Sequence, residues 1–176
     1  MLLKDLLALT VINKPALFRR TFELALSYPA QEVSLQKLLG QLQENGNVST
    51  IKHYLKVFEG AFLLRSFRKY SGSRIRKRVS SPKLLPMNNA LVHALHDPRT
   101  VDCDSDWRGR VFECAIGAAL CRQRAPVYYW RDGRYEVDYV IESTEGLLAV
   151  EVKSGRERRT SGLAVFCERY PEAVPT

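Results

Sequence analysis

Three side chains late in the chain combine types and spacing suited to chemistry on a phosphate. Asp138 lies in the run E-V-D-Y-V-I, and Glu151 and Lys153 close the run L-L-A-V-E-V-K. Strands that feed a core usually place apolar groups there, because an unpaired buried carboxylate is costly. Side-chain alternation puts Glu151 and Lys153 on one face. A four-residue loop, Ser143 to Gly146, sets residue 142 opposite 147 and therefore Asp138 opposite Glu151, with the two side chains roughly 5 Å apart. Carboxylates that close repel, and one of them would bind a proton without a counter-charge. Mg²⁺ resolves the conflict, since it takes one or two carboxylates and fills its other positions with water and phosphate oxygens. Lys153 would then neutralise the pair or hold a water and a phosphate beside the ion. A plain salt bridge from Lys153 to a carboxylate on a wet sheet face fits the same spacing.

The elements that must position these groups can be read from their neighbours. W-R-G-R-V-F-E-C-A-I-G-A-A-L-C-R reads as a helix, stopped by Pro126. V-Y-Y-W-R, a D-G turn and R-Y-E-V-D-Y-V-I then make a hairpin. S-T-E-G returns the chain into the third strand, and T-S-G-L-A-V-F-C-E-R-Y is a last helix before P-E-A-V-P-T.

Earlier in the chain, residues 2–11 read as a helix fragment. Pro15 begins a helix that turns Leu17, Phe18, Thr21, Phe22, Ala25 and Leu26 to one side. Ser34 caps a shorter helix. After the turn E-N-G-N, Asn47 or Ser49 caps a third, with Val48, Ile51, Leu55 and Phe58 inward and Thr50, Lys52, His53 and Lys56 toward the open side. Next come F-L-L-R-S-F-R-K-Y, a turn at S-G-S, and R-I-R-K-R-V, two strands joined by a tip. Three helices and a basic hairpin follow the order of a winged helix-turn-helix, whose third helix can enter a major groove while the wing meets phosphates. A three-helix bundle with a hairpin used only for packing has the same order.

The chain has 176 residues, 45% of them apolar and 26% charged, as in an ordinary globular protein. No apolar run reaches the roughly 18 residues of a membrane span, and the N-terminus lacks a secretory cleavage pattern, so the cytoplasm is the expected location. Cys103, Cys114, Cys121 and Cys167 show no metal-finger spacing; Cys114 and Cys121 share a helix face as buried thiols. Net charge is +8. Arg65, Arg68, Lys69, Arg74, Arg76, Lys77, Arg78 and Lys83 occupy one acid-free stretch and account for that whole excess. Such a stripe suits a polyanion, most often nucleic acid and here DNA as the expected partner. Its members other than Lys83, together with Lys52, His53 and Lys56, form the candidate nucleic-acid-binding set. A solvated face or a dock for an acidic protein accommodates the same charges.

A helix, a three-stranded meander, Asp on one strand and Glu-x-Lys on the next resemble the PD-(D/E)xK core of restriction endonucleases and Holliday-junction resolvases. That resemblance implies catalytic and metal-binding roles for Asp138 and Glu151, a catalytic Lys153, and a helix acid, here Glu113, as a further ligand for Mg²⁺. A surface or capping role for Glu113 is the alternative. K-D-L-L-A-L, L-L-G-Q-L, V-S-T-I-K-H-Y-L, F-L-L-R, S-S-P-K-L-L, G-R-V-F-E, Y-Y-W-R, E-V-D-Y-V and A-V-E-V-K-S-G are also similar to the uncharacterised region that follows an AAA-type ATPase module in many bacterial and archaeal proteins. The implied architecture is α/β (α+β), a winged helix-turn-helix followed by a PD-(D/E)xK restriction-endonuclease-like domain. Residues 1–13 would be a linker from the ATPase module, 14–96 the winged-helix-like domain and 97–176 the nuclease-like domain. No G-x-x-x-x-G-K-[ST] occurs, so the expected ATPase partner lies outside this chain. M-N-N-A-L stands where relatives carry an Asp, Cys114 stands where an Asn often follows the helix acid, and the last strand of the fold is expected to be lacking. The expected function is a DNA-binding or regulatory region of an AAA-type ATPase; a Mg²⁺-dependent DNA phosphodiesterase and a protein-docking module are the alternatives.

Overall fold

A computed structural model describes residues 11–42, 46–71, 80–95, 104–123, 125–144, 146–153 and 161–176. All but Val11 of the helix expected over 2–11, the second strand of the basic hairpin (74–79) and Cys103 lie outside these residues.

Helix α1, Pro15–Leu26, starts at a proline whose fixed φ suits the first helical turn. Its buried face is the expected one, and the Thr21 hydroxyl is satisfied by donating to the Leu17 carbonyl at 2.7 Å. Strand β1, Gln31–Glu32, follows, then α2, Leu35–Leu42, whose Lys37 N–H donates to Ser34 Oγ at 3.1 Å. Helix α3, Val48–Gly60, is capped by Asn47, whose side chain accepts from the Thr50 N–H at 2.8 Å. Ile51, Tyr54, Leu55 and Phe58 are buried, so Tyr54 joins the expected stripe, while Val48 is only half-buried. The Phe58 ring lies 4.6 Å from Phe18 and 5.0 Å from Phe22, which ties α3 to α1.

Strand β2, Leu64–Phe67, pairs antiparallel with β3, Lys83–Pro86, and β3 also pairs with β1, giving the sheet order β1-β3-β2. The second strand of the expected hairpin falls outside the described residues. Among the described residues, the partner of β2 is K-L-L-P, which Pro82 before it and Pro86 at its end disguise as a connector. Helix α4 covers Asn89–His93.

Helix α5, Ser105–Leu120, is capped by Asp104, and β4, Val127–Asp132, turns at Gly133 (φ 57°) into β5, Tyr135–Ser143. Strand β6, Gly146–Val150, pairs with β5 in the expected register, Glu142 opposite Leu147 and Tyr139 opposite Val150. Helix α6, Ser161–Arg169, leads to β7, Ala173–Pro175, which lies parallel to β6. The expected lack of a last strand is thus corrected: a short one closes the order β4-β5-β6-β7.

The architecture is mixed α and β, with six helices and two sheets among the described residues. Leu163 and Phe166 of α6 pack on one side of the second sheet, against Val137, Val140, Leu147 and Ala149. Cys114 of α5 packs on the other side with Tyr139 and Tyr129, in a cluster shared with Phe67 and Leu85 of the first sheet. The two sheets also meet through backbone. Tyr70 N–H donates to the Tyr129 carbonyl at 2.6 Å, Tyr129 N–H donates to the Arg68 carbonyl at 3.1 Å, and the Tyr129 hydroxyl donates to the Ser81 carbonyl at 2.6 Å. No described helix is long and apolar enough to cross a membrane.

Candidate functional site

The pairing of β4 with β5 shifts by one residue: Tyr128 faces Val140 and Trp130 faces Val137, so Tyr129 alone faces both Asp138 and Tyr139. A β-bulge of this kind breaks strict alternation and re-aims a side chain. Tyr139 packs toward α5, where its hydroxyl donates to the Glu113 carbonyl at 2.8 Å. Asp138 also meets the groups on this side.

Those groups are not the ones the strand spacing suggests. Lys83 of β3 forms an ion pair with Glu113, and its Nζ lies 3.5 Å from both the Asp138 Oδ1 and the Asp138 carbonyl. The second carboxylate oxygen, Oδ2, accepts from the Val152 N–H at 2.8 Å. The Lys83, Glu113 and Asp138 side chains are only 9%, 15% and 11% exposed. Burial works against the Lys83 ammonium, yet the two acids outweigh it and hold its pKa above the ordinary value. Burial raises Glu113 to about 7; Lys83 opposes that rise and Asp138 adds to it.

Glu151 pairs instead with Lys153. Lys153 thus makes the plain salt bridge to a carboxylate that the same spacing also allows. Glu151 Oε2 is buried with no hydrogen-bond partner among the described residues. Among those residues no three His, Cys, Asp or Glu side chains converge as they would around a metal ion. The donor set therefore does not fit the Mg²⁺ expected on Asp138, Glu151 and Glu113. Two of those acids already share an ammonium, and the third is held by another. A cleft of about 560 Å³ opens beside the cluster, lined by Lys83, Glu113, Asp138 and Lys153, with Arg131 from β4 and Glu32 from β1.

The basic residues divide. Lys52, His53 and Lys56 are exposed on α3 as expected. Lys52 and Lys56 line a groove of about 540 Å³ with Arg68, just past β2. Glu59 also lines it, but its Oε1 is engaged by the Ser66 N–H at 2.8 Å. Arg65 points to the other side of β2, where it lies against Cys121 just past α5; strand alternation separates it from Arg68. Lys69 is half-buried beside Tyr129. Arg74, Arg76, Lys77 and Arg78 lie outside the described residues. Lys83 belongs to the acid cluster rather than to the basic face.

Sequence reasoning missed Lys83 as a site residue. It counts as one more cation of the stripe, and only its strand neighbours Leu84 and Leu85 mark it as buried.

A helical unit with a three-stranded sheet, joined through a charged seam to a second sheet between two helices, describes the molecule. Residues 1–102 match the family described as a domain of unknown function (DUF8612), and the chain belongs to that family. Residues 108–175 are similar to a second domain of unknown function (DUF4143). No curated protein and no solved structure matches the chain.

Proposed function

We propose that the chain is a DNA-binding, regulatory region of an AAA-type ATPase, in which the nuclease-like sheet is a scaffold. The observation that carries this reading is the convergence of Lys52, Lys56 and Arg68 on one groove beside the third helix. Cations gathered on one face suit a phosphate backbone. The succession of helix, strand, two helices and two strands, with the sheet order β1-β3-β2, supports a winged-helix unit that presents α3 outward. The link to an ATPase rests on the sequence resemblance. Against catalysis weighs the engagement of all three candidate acids by Lys83 and Lys153.

Fluorescence anisotropy with duplex DNA across a salt series tests the reading. The triple variant Lys52→Ala/Lys56→Ala/Arg68→Ala is expected to weaken binding and to lower the slope of log K against log salt by about 3, close to one per lost phosphate contact. Arg169→Ala, on α6, serves as the control and should leave binding unchanged. Equal weakening by the control, or no DNA retained at low salt, would overturn the reading; the second result favours protein docking. Nicking of supercoiled plasmid with Mg²⁺, lost in Lys153→Ala, would instead establish the phosphodiesterase.

A further inference from the structure

We infer that Lys83 is the resident cation of the Glu113–Asp138 pair: it clamps the first sheet to the second and keeps a divalent ion out of that position. The mismatch between the donor set and Mg²⁺ is the starting point, and the inference is independent of the α3 groove.

Two carboxylates approach one ammonium, and all three side chains are at most 15% exposed. Carboxylates placed this close in a seam need a positive charge between them. Lys83 supplies it from the opposite sheet. Its strand neighbours Leu84 and Leu85 are fully buried, so its stem is anchored in the core. The ammonium also lies 5.4 Å from the centroid of the Tyr139 ring, whose face favours a cation. Asp138 Oδ2 is engaged by the Val152 N–H. A divalent ion such as Mg²⁺ needs near-octahedral oxygen ligands at about 2.0–2.1 Å. An ammonium held between the two acids offsets their charge and repels a second cation from that position.

Thermal unfolding with Mn²⁺ or EDTA tests this, with Mn²⁺ as the probe. The unaltered protein should melt at the same temperature in both. Lys83→Met should melt lower in EDTA, by on the order of 10 °C, because it leaves two buried acids without their partner. Millimolar Mn²⁺ should, by mass action, restore several degrees of that loss. The restoration should vanish in Lys83→Met/Asp138→Asn. Where Lys83→Met alone does not fold, Lys83→Met/Glu113→Gln, with one acid neutralised, should fold and melt above it. Three results would overturn the inference: a Mn²⁺-dependent rise in the unaltered protein that Asp138→Asn abolishes, a Lys83→Met variant with no Mn²⁺ response, or equal instability of the single and double variants.

Discussion

Burial raises the pKa of Glu113 from 4.5 to about 7; Lys83 opposes the rise, and Asp138 and Glu136 add to it. A carboxyl whose folded pKa exceeds its unfolded value binds protons more tightly in the folded chain. Its contribution to stability is therefore complete below pH 4.5 and is lost as pH rises toward 7. The loss amounts to about 3 kcal/mol over that interval. Urea unfolding followed from pH 4.5 to 8 should show the decline, and Glu113→Gln should flatten it. An unchanged slope in that variant would place the titration elsewhere. The same residue shows how far the site could be read in advance. A lone acid among apolar neighbours on a helix marks Glu113 as unusual, but its partner lies 30 positions earlier in the chain. No local pattern links the two.

At the scale of elements, two helices approach β5 closely enough to require glycine. A Cβ on Gly117 would come within 2.3 Å of the Tyr139 hydroxyl oxygen, and one on Gly162 within 1.9 Å of the Glu136 carbonyl oxygen. Gly117→Ala must displace a ring whose hydroxyl is bonded to α5, while Gly162→Ala must move backbone. Both should destabilise, by about 1–3 kcal/mol for Gly117→Ala and more for Gly162→Ala, as measured by denaturant midpoints. A Gly162→Ala variant as stable as its parent would mean that α6 can slide freely on the sheet.

Much of this layer was legible. Pro15, Ser34 and Asn47 mark helix starts, and the loop from Ser143 to Gly146 sets the β5–β6 register. Three features were not. Strand β1 has two residues, too few for any alternation to register. Strand β3 follows Pro82, ends on Pro86 and reads as linker. The bulge at Asp138 and Tyr139 carries no glycine and no other local mark, yet it breaks the face assignment that simple alternation predicts.

Across the whole molecule, the cluster that joins Phe67 and Leu85 to Cys114, Tyr129 and Tyr139 makes the two sheets share apolar core. Leu85→Ala removes a fully buried side chain from the first sheet and should cost about 2–5 kcal/mol. Both tryptophans, Trp107 and Trp130, belong to the second portion. Their emission should nevertheless report the lowered midpoint, in step with far-ultraviolet dichroism. A tryptophan transition left unmoved would mean that the two portions unfold independently.

Tyr129 gives this shared core a mechanical aspect. Its backbone is fastened to Arg68 and Tyr70, its hydroxyl to Ser81, and its strand position faces the bulge. Arg68, Tyr70 and Ser81, which flank the basic stretch in sequence, are thus all fastened to a single residue. A pull applied to either flank is therefore delivered at that one rivet, which sits across the strand pair from Asp138, the carboxylate that Lys83 holds.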